Sequence, residues 1–219
     1  MAFGTCCFGG FDVPDLHIEQ LRILHLPPLS FSLRAGEITV LSGPSGCGKS
    51  LLLRAMVDLD CHSGEVRLGG QRREAMPAPA WRRLLGLLPA ESHWWRNTAA
   101  EHLPAAVDLP LKALDLPAEA LGWQISRLST GERQRLALLR LLAMGPSALL
   151  LDEPTANLDA DNGLRVERLI RAYADEHQAP VLWVSHDAAQ RQRIADRQLR
   201  LEPDGIKSGA GDLEPDSGG

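Results

Sequence analysis

One short segment limits what this chain can fold into more than any other: GPSGCGKS, residues 43–50. It follows the apolar run EITVL and opens the helix-like run LLLRAMVDL. This is the spacing G-x-x-x-x-G-K-[ST] in the strand–loop–helix context that phosphate-binding loops require. The alternative is a glycine-rich turn before an ordinary helix, and the correct context makes it the weaker interpretation. The segment therefore predicts a nucleotide phosphate site.

The chemistry of the loop residues fits that prediction. Glycines let the loop curl so that backbone N–H groups point at phosphate oxygens, and the following helix N-terminus adds partial positive charge. Lys49 can reach the β- and γ-phosphates, and Ser50 can offer its hydroxyl to Mg²⁺. The predicted cofactors are ATP and Mg²⁺. The residues predicted to line the nucleotide are Gly43, Pro44, Ser45, Gly46, Cys47, Gly48, Lys49, Ser50 and Leu51.

Two further apolar runs end in polar residues with matching chemistry. ALLLDEP, residues 148–154, ends in a carboxylate, Asp152, that can hold the magnesium shell, and Glu153 after it can polarise an attacking water. In VLWVSHD, residues 181–187, His186 stands at the end of the strand-like run. A lone histidine is usually structural, but the carboxyl end of such a strand favours a γ-phosphate contact. The predicted catalytic residues are Lys49, Glu153 and His186, and the predicted metal ligands are Ser50 and Asp152.

The order of apolar runs indicates the fold class. EITVLSG, ALLLDEP and PVLWVSH are typical of buried parallel strands, whereas LHIEQLRI, LSFSLRAG and GEVRLGG alternate as half-buried strands do. Helical runs follow the buried strands, which favours an α/β fold with a parallel sheet. Residues from about 90 to 130 break the alternation and predict a small helical insertion. We expect residues 1–15 to be irregular and residues 205–219 to form a disordered tail.

The composition of the chain argues against several classes of function. The 219 residues suit one medium domain, and 28 acidic against 23 basic residues argue against a nucleic-acid partner. The four cysteines, Cys6, Cys7, Cys47 and Cys61, contain no C-x-x-C pair, so we expect reduced thiols rather than a zinc or redox site. The N-terminus lacks the pattern of a signal peptide, and every apolar run is too short to span a bilayer. We expect a soluble protein.

With these motifs in order, the chain resembles the nucleotide-binding subunit of ABC (ATP-binding cassette) transporters from about Leu16 to Glu202. LSTGE, residues 128–132, resembles the family signature L-S-G-G-Q, and NLD, residues 157–159, resembles the D-loop. The resemblance implies an α/β P-loop NTPase (RecA-like) parallel-sheet core over residues 16–204. It also implies an N-terminal antiparallel β subdomain and a short α-helical subdomain at about 90–130.

The resemblance further implies that the protein dimerises with a second copy of itself. Two cassettes would pack head to tail with two ATPs between them, each held by the phosphate loop of one subunit and the signature of the other. Ser129, the Gly131 backbone and the helix that follows would then face the partner's γ-phosphate, and Asp159 would act across the interface. Arg133 and Arg135 are expected instead on a solvated face of that helix.

Several positions depart from the family pattern. Ala90 stands where the Q-loop glutamine is expected, and an alanine cannot contact magnesium or water. Thr130 replaces the first signature glycine, and Leu51 replaces a hydroxyl residue that often follows the Lys-Ser pair. His25 takes the approximate place of the aromatic residue that stacks on adenine, where it either stacks on the base or is an ordinary surface histidine. No departure removes a predicted catalytic residue, so we expect an active ATPase.

The resemblance also implies a partner in the membrane. SHWWRN lies where the family forms its groove for an integral membrane permease, so Trp94 and Trp95 either form an apolar docking surface or pack the helical lobe. The chain would then lie peripherally on the cytoplasmic face of the inner membrane. It looks similar to bacterial cassettes paired with small permeases, including metal (iron) exporters.

Two other functions stay open. A soluble ABC-type ATPase of DNA repair or translation would carry a long coiled coil or a second cassette, and the sequence has neither. A nucleotide-dependent module that barely hydrolyses ATP is kept open by the altered Q-loop, and a steady-state ATPase assay with Glu153→Gln as control distinguishes it from an ATPase subunit.

Overall fold

The apolar runs form the inner strands of a central sheet. The computed structural model describes residues 14–104 and 109–208. Its strands are β1 (Leu16–Arg22), β2 (Leu29–Leu33), β3 (Ile38–Ser42), β4 (Ser63–Leu68), β5 (Gln71–Arg72), β6 (Leu85–Leu88), β7 (Ala148–Asp152), β8 (Val181–Val184), β9 (Arg197–Glu202) and β10 (Gly205–Ser208). Its α-helices are α1 (Lys49–Met56), α2 (Ala78–Leu84), α3 (Thr130–Leu142), α4 (Ala160–His177) and α5 (Ala188–Ile194). Short 3-10 helices lie at Arg73–Ala75, Ala100–His102, Leu111–Leu114, Ala118–Gly122 and Ile125–Arg127.

The central sheet has the order β10-β9-β3-β8-β7-β6. All its neighbouring strands are parallel except β10, which pairs antiparallel with β9. Every residue of β7 and β8 is buried, which explains why these strands are uninterrupted apolar runs. Because parallel strands end at the same edge of a sheet, the segments that follow β3, β7 and β8 lie together there.

A second sheet, of order β2-β1-β4-β5, is antiparallel. In β1, Leu16 and Ile18 are buried while Glu19 is exposed, as expected for a strand with one face on the core. A register shift between Ile18 and Leu21 marks a bulge against β2. This sheet is the predicted N-terminal antiparallel subdomain.

Apolar side chains pack on both faces of the central sheet. In β7, Leu149 belongs to the cluster that includes α3 and α4, whereas Leu150 belongs to the cluster that includes α1 and the second sheet. This alternation follows from the two-residue period of a strand. Each fully buried leucine stabilises the fold by about 1.5–3 kcal/mol. The two clusters therefore fix the helices against a rigid sheet.

The predicted helical insertion has a different local structure from the one expected. Between residues 90 and 129, the described part of the chain forms 3-10 helices rather than α-helices. Pro110 and Pro117 stand directly before two of them. Proline lacks a backbone N–H and disfavours helical conformation in the residue before it, so prolines at this spacing prevent a continuous α-helix.

The predicted disorder from residue 205 is wrong for the first four residues of the tail. Gly205–Ser208 form β10, which pairs with β9 from Gly205 with Glu202 to Ser208 with Leu199. A tight turn lets the chain continue as a hairpin, which the sequence pattern did not reveal. Residues 1–13 and 209–219, and with them Cys6 and Cys7, lie outside the described residues.

Over residues 14–104 and 109–208, every helix is too short or too polar to cross a membrane. The two cysteines in this part of the chain, Cys47 and Cys61, are free thiols.

Candidate functional site

The segment after β3 curls as a phosphate-binding loop must. Gly43 has φ 153°, and a Cβ at this position would lie 2.5 Å from the Leu201 carbonyl oxygen and 2.9 Å from Cys47 Sγ. Gly48 caps α1 in the left-handed region with φ 101°. The first turn of α1 contains no acidic residue, so its N-terminal partial charge is not offset there. The loop geometry thus requires glycine where the motif has it.

Lys49 folds back across the loop. Its side chain is buried, and Nζ donates to the Gly43 carbonyl at 3.0 Å and to the Pro44 carbonyl at 2.9 Å. These carbonyls are neutral acceptors, whereas a phosphate oxygen is charged and accepts a stronger hydrogen bond. The ammonium group is therefore held at the loop that would surround a phosphate.

The oxygen donors near the loop suit Mg²⁺. Asp152 is buried at the end of β7, in register with Val184 of β8, and Ser50 is exposed at the start of α1. Over residues 14–104 and 109–208, no three His, Cys, Asp or Glu side chains cluster as a complete metal cage. Mg²⁺ typically takes one or two protein oxygens and completes its shell with phosphate and water. A hydroxyl and a carboxylate fit that requirement.

Glu153 and His186 form a pair at the same edge of the sheet. Their Oε1 and Nε2 atoms are 3.0 Å apart, and their side chains are 34% and 47% exposed. The Glu153 backbone N–H donates to the Val184 carbonyl at 3.2 Å, and Glu153 has φ 48°. A non-glycine residue in the left-handed region is uncommon. The pair can polarise a water molecule and contact an anion.

The signature segment caps α3. Ser129 Oγ accepts from the Glu132 backbone N–H at 3.2 Å, while the Ser129 N–H and hydroxyl donate to Glu132 Oε2 at 2.8 and 2.7 Å. This reciprocal pair is a capping box. The Ser129 hydroxyl, and then its backbone N–H, hold the pKa of the Glu132 carboxyl below its usual value. The donors of Ser129 are thus engaged within this chain.

Thr130 and Gly131 differ in how tightly they are packed. Thr130 is the first residue of α3 and is exposed, so its side chain is compatible with the helical backbone. A Cβ on Gly131 would lie 3.2 Å from both the Asn157 carbonyl oxygen and a methyl group of Leu158. The start of α3 therefore packs closely against the segment before Asp159.

The expectation of a solvated Arg135 is wrong. Arg135 is 8% exposed, and its guanidinium donates to the Leu114 carbonyl at 2.6 Å and to Asn162 Oδ1 at 2.8 Å. Asn162 in turn donates from its backbone and side chain to Asp159, at 2.9 and 2.7 Å. These bonds from Asn162 hold the pKa of Asp159 below its usual value. Arginine spacing alone gave no sign that Arg135 joins the insertion to the D-loop-like segment.

Three further predicted positions, His25, Leu51 and Ala90, are exposed. A Cβ on Gly48 would lie 3.0 Å from a methyl group of Leu26, so the turn that carries exposed His25 is beside the phosphate loop. Leu51 is 36% exposed. Ala90 is exposed two residues after β6 ends and offers no polar side chain.

The two tryptophans have different environments. Trp95 is 71% exposed, whereas Trp94 is partly buried against the core. The Arg140 guanidinium lies over both rings, at 4.4 Å from the Trp94 centroid and 5.3 Å from that of Trp95. His102 contacts both rings edge-on. Trp94 therefore packs the lobe, and Trp95 presents an apolar surface outside it.

Comparison with known protein families identifies one domain. The family model described as ABC transporter matches residues 26–156. This range contains the phosphate loop, the signature segment, Asp152 and Glu153.

Individual relatives are similar over most of their length. The probable iron export ATP-binding protein FetA of Escherichia coli (strain K12) is 34% identical over 188 residues, which is 80% of this chain and 83% of that protein. The aliphatic sulfonates import ATP-binding protein SsuB 2 of Mesorhizobium japonicum is 37% identical over 211 residues, 89% of this chain and 80% of that protein. The phosphate import ATP-binding protein PstB 1 of Yersinia pestis is 34% identical over 212 residues, 83% of this chain and 78% of that protein.

Solved structures share the fold. A bacterial Atm1-family ABC exporter with ATP bound superposes with a TM-score of 0.79 at 22% identity, covering 90% of this chain and 38% of the exporter chain. The ATP-binding cassette MJ0796, in a dimeric post-hydrolysis state bound to ADP and Pi, gives a TM-score of 0.75 at 21% identity, covering 88% of this chain and 98% of that one.

Proposed function

The chain belongs to the ABC transporter family and is an ATPase subunit of that family, and from this premise we propose that two copies dimerise head to tail around two ATPs to drive a separate membrane subunit. The main support for the proposal is the pair formed by Glu153 and His186, whose Oε1 and Nε2 atoms are 3.0 Å apart at the sheet edge where the phosphate loop lies. The pair supplies a proton acceptor and an orienting group in one place.

In the proposed reaction each residue acts through its own chemistry. Glu153 accepts a proton from the water that attacks the γ-phosphate, while His186 holds that carboxylate and contacts the phosphate. Lys49 exchanges its loop carbonyls for phosphate oxygens. Ser50 and Asp152 would hold Mg²⁺, and the bound ion would offset phosphate charge.

The partner subunit supplies the other half of each site in this proposal. Ser129 and the N-terminus of α3 offer N–H and hydroxyl donors, and Asp159 lies on the adjoining segment. Since the donors of Ser129 are engaged by Glu132 in the single protomer, the γ-phosphate competes with that carboxylate. In this proposal the dimer forms only when ATP is bound, and hydrolysis of the ATP releases the two protomers from each other.

The membrane subunit is proposed to dock at the exposed ring of Trp95. Large aromatic side chains are enriched at the centres of interfaces, and Trp95 is exposed beside the cation of Arg140. The names of the similar proteins, which are ATP-binding proteins for import or export, support such a partner. The protein would then work on the cytoplasmic face of the inner membrane.

For the cargo, we propose export of a metal such as iron as the activity to test first. The support is that one of the similar proteins, 34% identical over 188 residues, is named as a probable iron export ATP-binding protein. Cells that express the chain with its permease should then accumulate less radioactive iron, and unchanged accumulation would count against iron as the cargo.

Two assays with Glu153→Gln test the ATPase part of the proposal. The wild type should show steady-state ATP turnover that the substitution abolishes. Light scattering should show that Glu153→Gln forms a dimer with ATP and a monomer without it, because ATP binds and is not consumed. A protein that is monomeric with ATP, or turnover that survives the substitution, would overturn the proposal. Turnover too slow to measure in the wild type would favour a nucleotide-dependent module.

A further inference from the structure

A buried polar network lies directly behind the Glu153–His186 pair, and Gln190 of α5 is its centre. Gln190 is 5% exposed. Its Nε2 donates to Thr155 Oγ1 at 2.9 Å and to Glu167 Oε1 at 2.8 Å, and its Oε1 accepts from Ser185 Oγ at 2.7 Å. Both N–H groups and the oxygen of the amide are therefore engaged.

Glu167, at one end of the network, fixes which groups donate and which accept in these hydrogen bonds. Glu167 is a buried carboxylate that can only accept hydrogen bonds, and the Arg193 guanidinium donates two to it, each of 2.7 Å. The amide nitrogen of Gln190 must therefore face Glu167, which turns its oxygen to Ser185. Since the Ser185 hydroxyl donates to Gln190, it is free to accept from the Asp187 N–H, at 3.1 Å.

The other end of the network reaches the two segments that carry the pair. Thr155 is two residues after Glu153, and Ser185 directly precedes His186. The side chains of Glu153 and His186 are themselves substantially exposed, so packing alone does not hold them. Their separation depends on the segments that carry them. The Glu153 N–H bond to the Val184 carbonyl joins these segments through the backbone, and the Gln190 amide joins them through the hydroxyls of Thr155 and Ser185.

We propose that Gln190 is a positioning residue for ATP hydrolysis, which sets the distance and orientation between Glu153 and His186 without touching the nucleotide. The inference rests on the proposed roles of that pair. A displacement of about 1 Å between reacting groups can cost about 100-fold in rate. A side chain that holds two catalytic segments is therefore expected to affect kcat strongly.

The first test is Gln190→Leu, which keeps the side-chain volume and removes all three hydrogen bonds. We expect kcat for ATP to fall about 10- to 100-fold, while KM changes by less than about twofold because the phosphate loop is unaffected. The matched control is Tyr173→Phe, which also removes a buried hydrogen bond, to the Pro146 carbonyl at 2.8 Å, far from the pair. Its kcat should equal that of the wild type.

The second test exchanges donor and acceptor within the network. Gln190→Glu alone puts two carboxylates in contact and should lower kcat like the leucine variant, because neither carboxylate can donate. Adding Glu167→Gln restores a donor between the two positions, and the hydroxyls of Thr155 and Ser185 can donate to the new carboxylate, while one of the two bonds from Arg193 is lost. The double variant should therefore recover part of the kcat that Gln190→Glu loses.

A measurement without turnover keeps the inference separate from the proposed function. Amide hydrogen exchange in Gln190→Leu should accelerate at residues 153–156 and 185–187 and stay unchanged in the phosphate loop. Exchange unchanged in those two segments, a kcat no lower than that of Tyr173→Phe, or no recovery in the folded double variant would each overturn the inference. Absence of wild-type turnover would count against the proposed function alone, since the exchange result still decides the role of Gln190.

Discussion

Replacing Arg135 by methionine should destabilise this protein far more than replacing Arg133, two residues away on the same helix. Arg135 is 8% exposed, with short bonds from its guanidinium to the Leu114 carbonyl, 2.6 Å, and to Asn162 Oδ1, 2.8 Å. A hydrogen bond from a charged group contributes about 1.5–3 kcal/mol, and an acceptor left buried without a donor adds a similar penalty. Since these contributions are not additive, we expect a loss of about 3 kcal/mol in the free energy of unfolding.

The matched control is Arg133→Met. In the described part of the chain, the only side-chain hydrogen bond of Arg133 is to Thr130 Oγ1, exposed and 3.4 Å long, so its replacement should cost less than about 0.5 kcal/mol. In a domain of this size, 1 kcal/mol shifts Tm by about 2–4 °C. Differential scanning calorimetry should thus show a fall of about 6–12 °C for Arg135→Met and less than about 2 °C for Arg133→Met. Equal shifts would refute the claim that Arg135 joins the insertion to α4.

Substitutions in the phosphate loop, in the cap of α3 and at the two tryptophans should have separate effects. Lys49→Ala should weaken ATP binding at least about tenfold in calorimetry, because a charged hydrogen-bond donor to phosphate is lost; an unchanged Kd would contradict its role. The pKa of Glu132 is lowered in the folded state, so its contribution to stability is present above the unfolded pKa of about 4.3 and is lost as pH falls. Urea midpoints of wild type and Glu132→Gln should therefore differ at pH 7 and converge in acid, and a constant difference would count against the capping box. Trp95→Ala should abolish co-purification with the permease and lower stability by less than about 1 kcal/mol, since only its contacts with Arg140 and His102 are lost. Trp94→Ala should lower stability by about 2 kcal/mol. Retained co-purification of Trp95→Ala would exclude Trp95 from docking.

The sheet core could be predicted from the sequence because its signals are local. β3, β7 and β8 are continuous apolar runs, and the glycine spacing of residues 43–50 has one structural context. The strands that the sequence did not predict have weaker patterns of apolar residues. β9 has only two buried leucines among charged residues, and β10 is stabilised by pairing with β9 rather than by its own sequence.

The site could be predicted in part for the same reason. Lys49, Asp152, Glu153 and His186 each follow directly on a recognisable strand or loop, and the parallel sheet brings those ends together. Arg135 and Gln190 carry no such signal, because their partners are distant along the chain and a polar residue on a helix usually faces solvent. Only tertiary structure reveals that both are buried and hydrogen-bonded to residues distant along the chain.

If each ATP is hydrolysed between two protomers, two variants that are defective in different halves of the site should complement each other. Glu153→Gln and Ser129→Asp should each be inactive alone; aspartate still caps a helix but repels a phosphate. Mixing the two inactive proteins should restore turnover, because one of the two sites in a mixed dimer combines an intact Glu153 with the partner's intact Ser129. A mixture that stays inactive, although light scattering shows that mixed dimers form with ATP, would contradict the shared site.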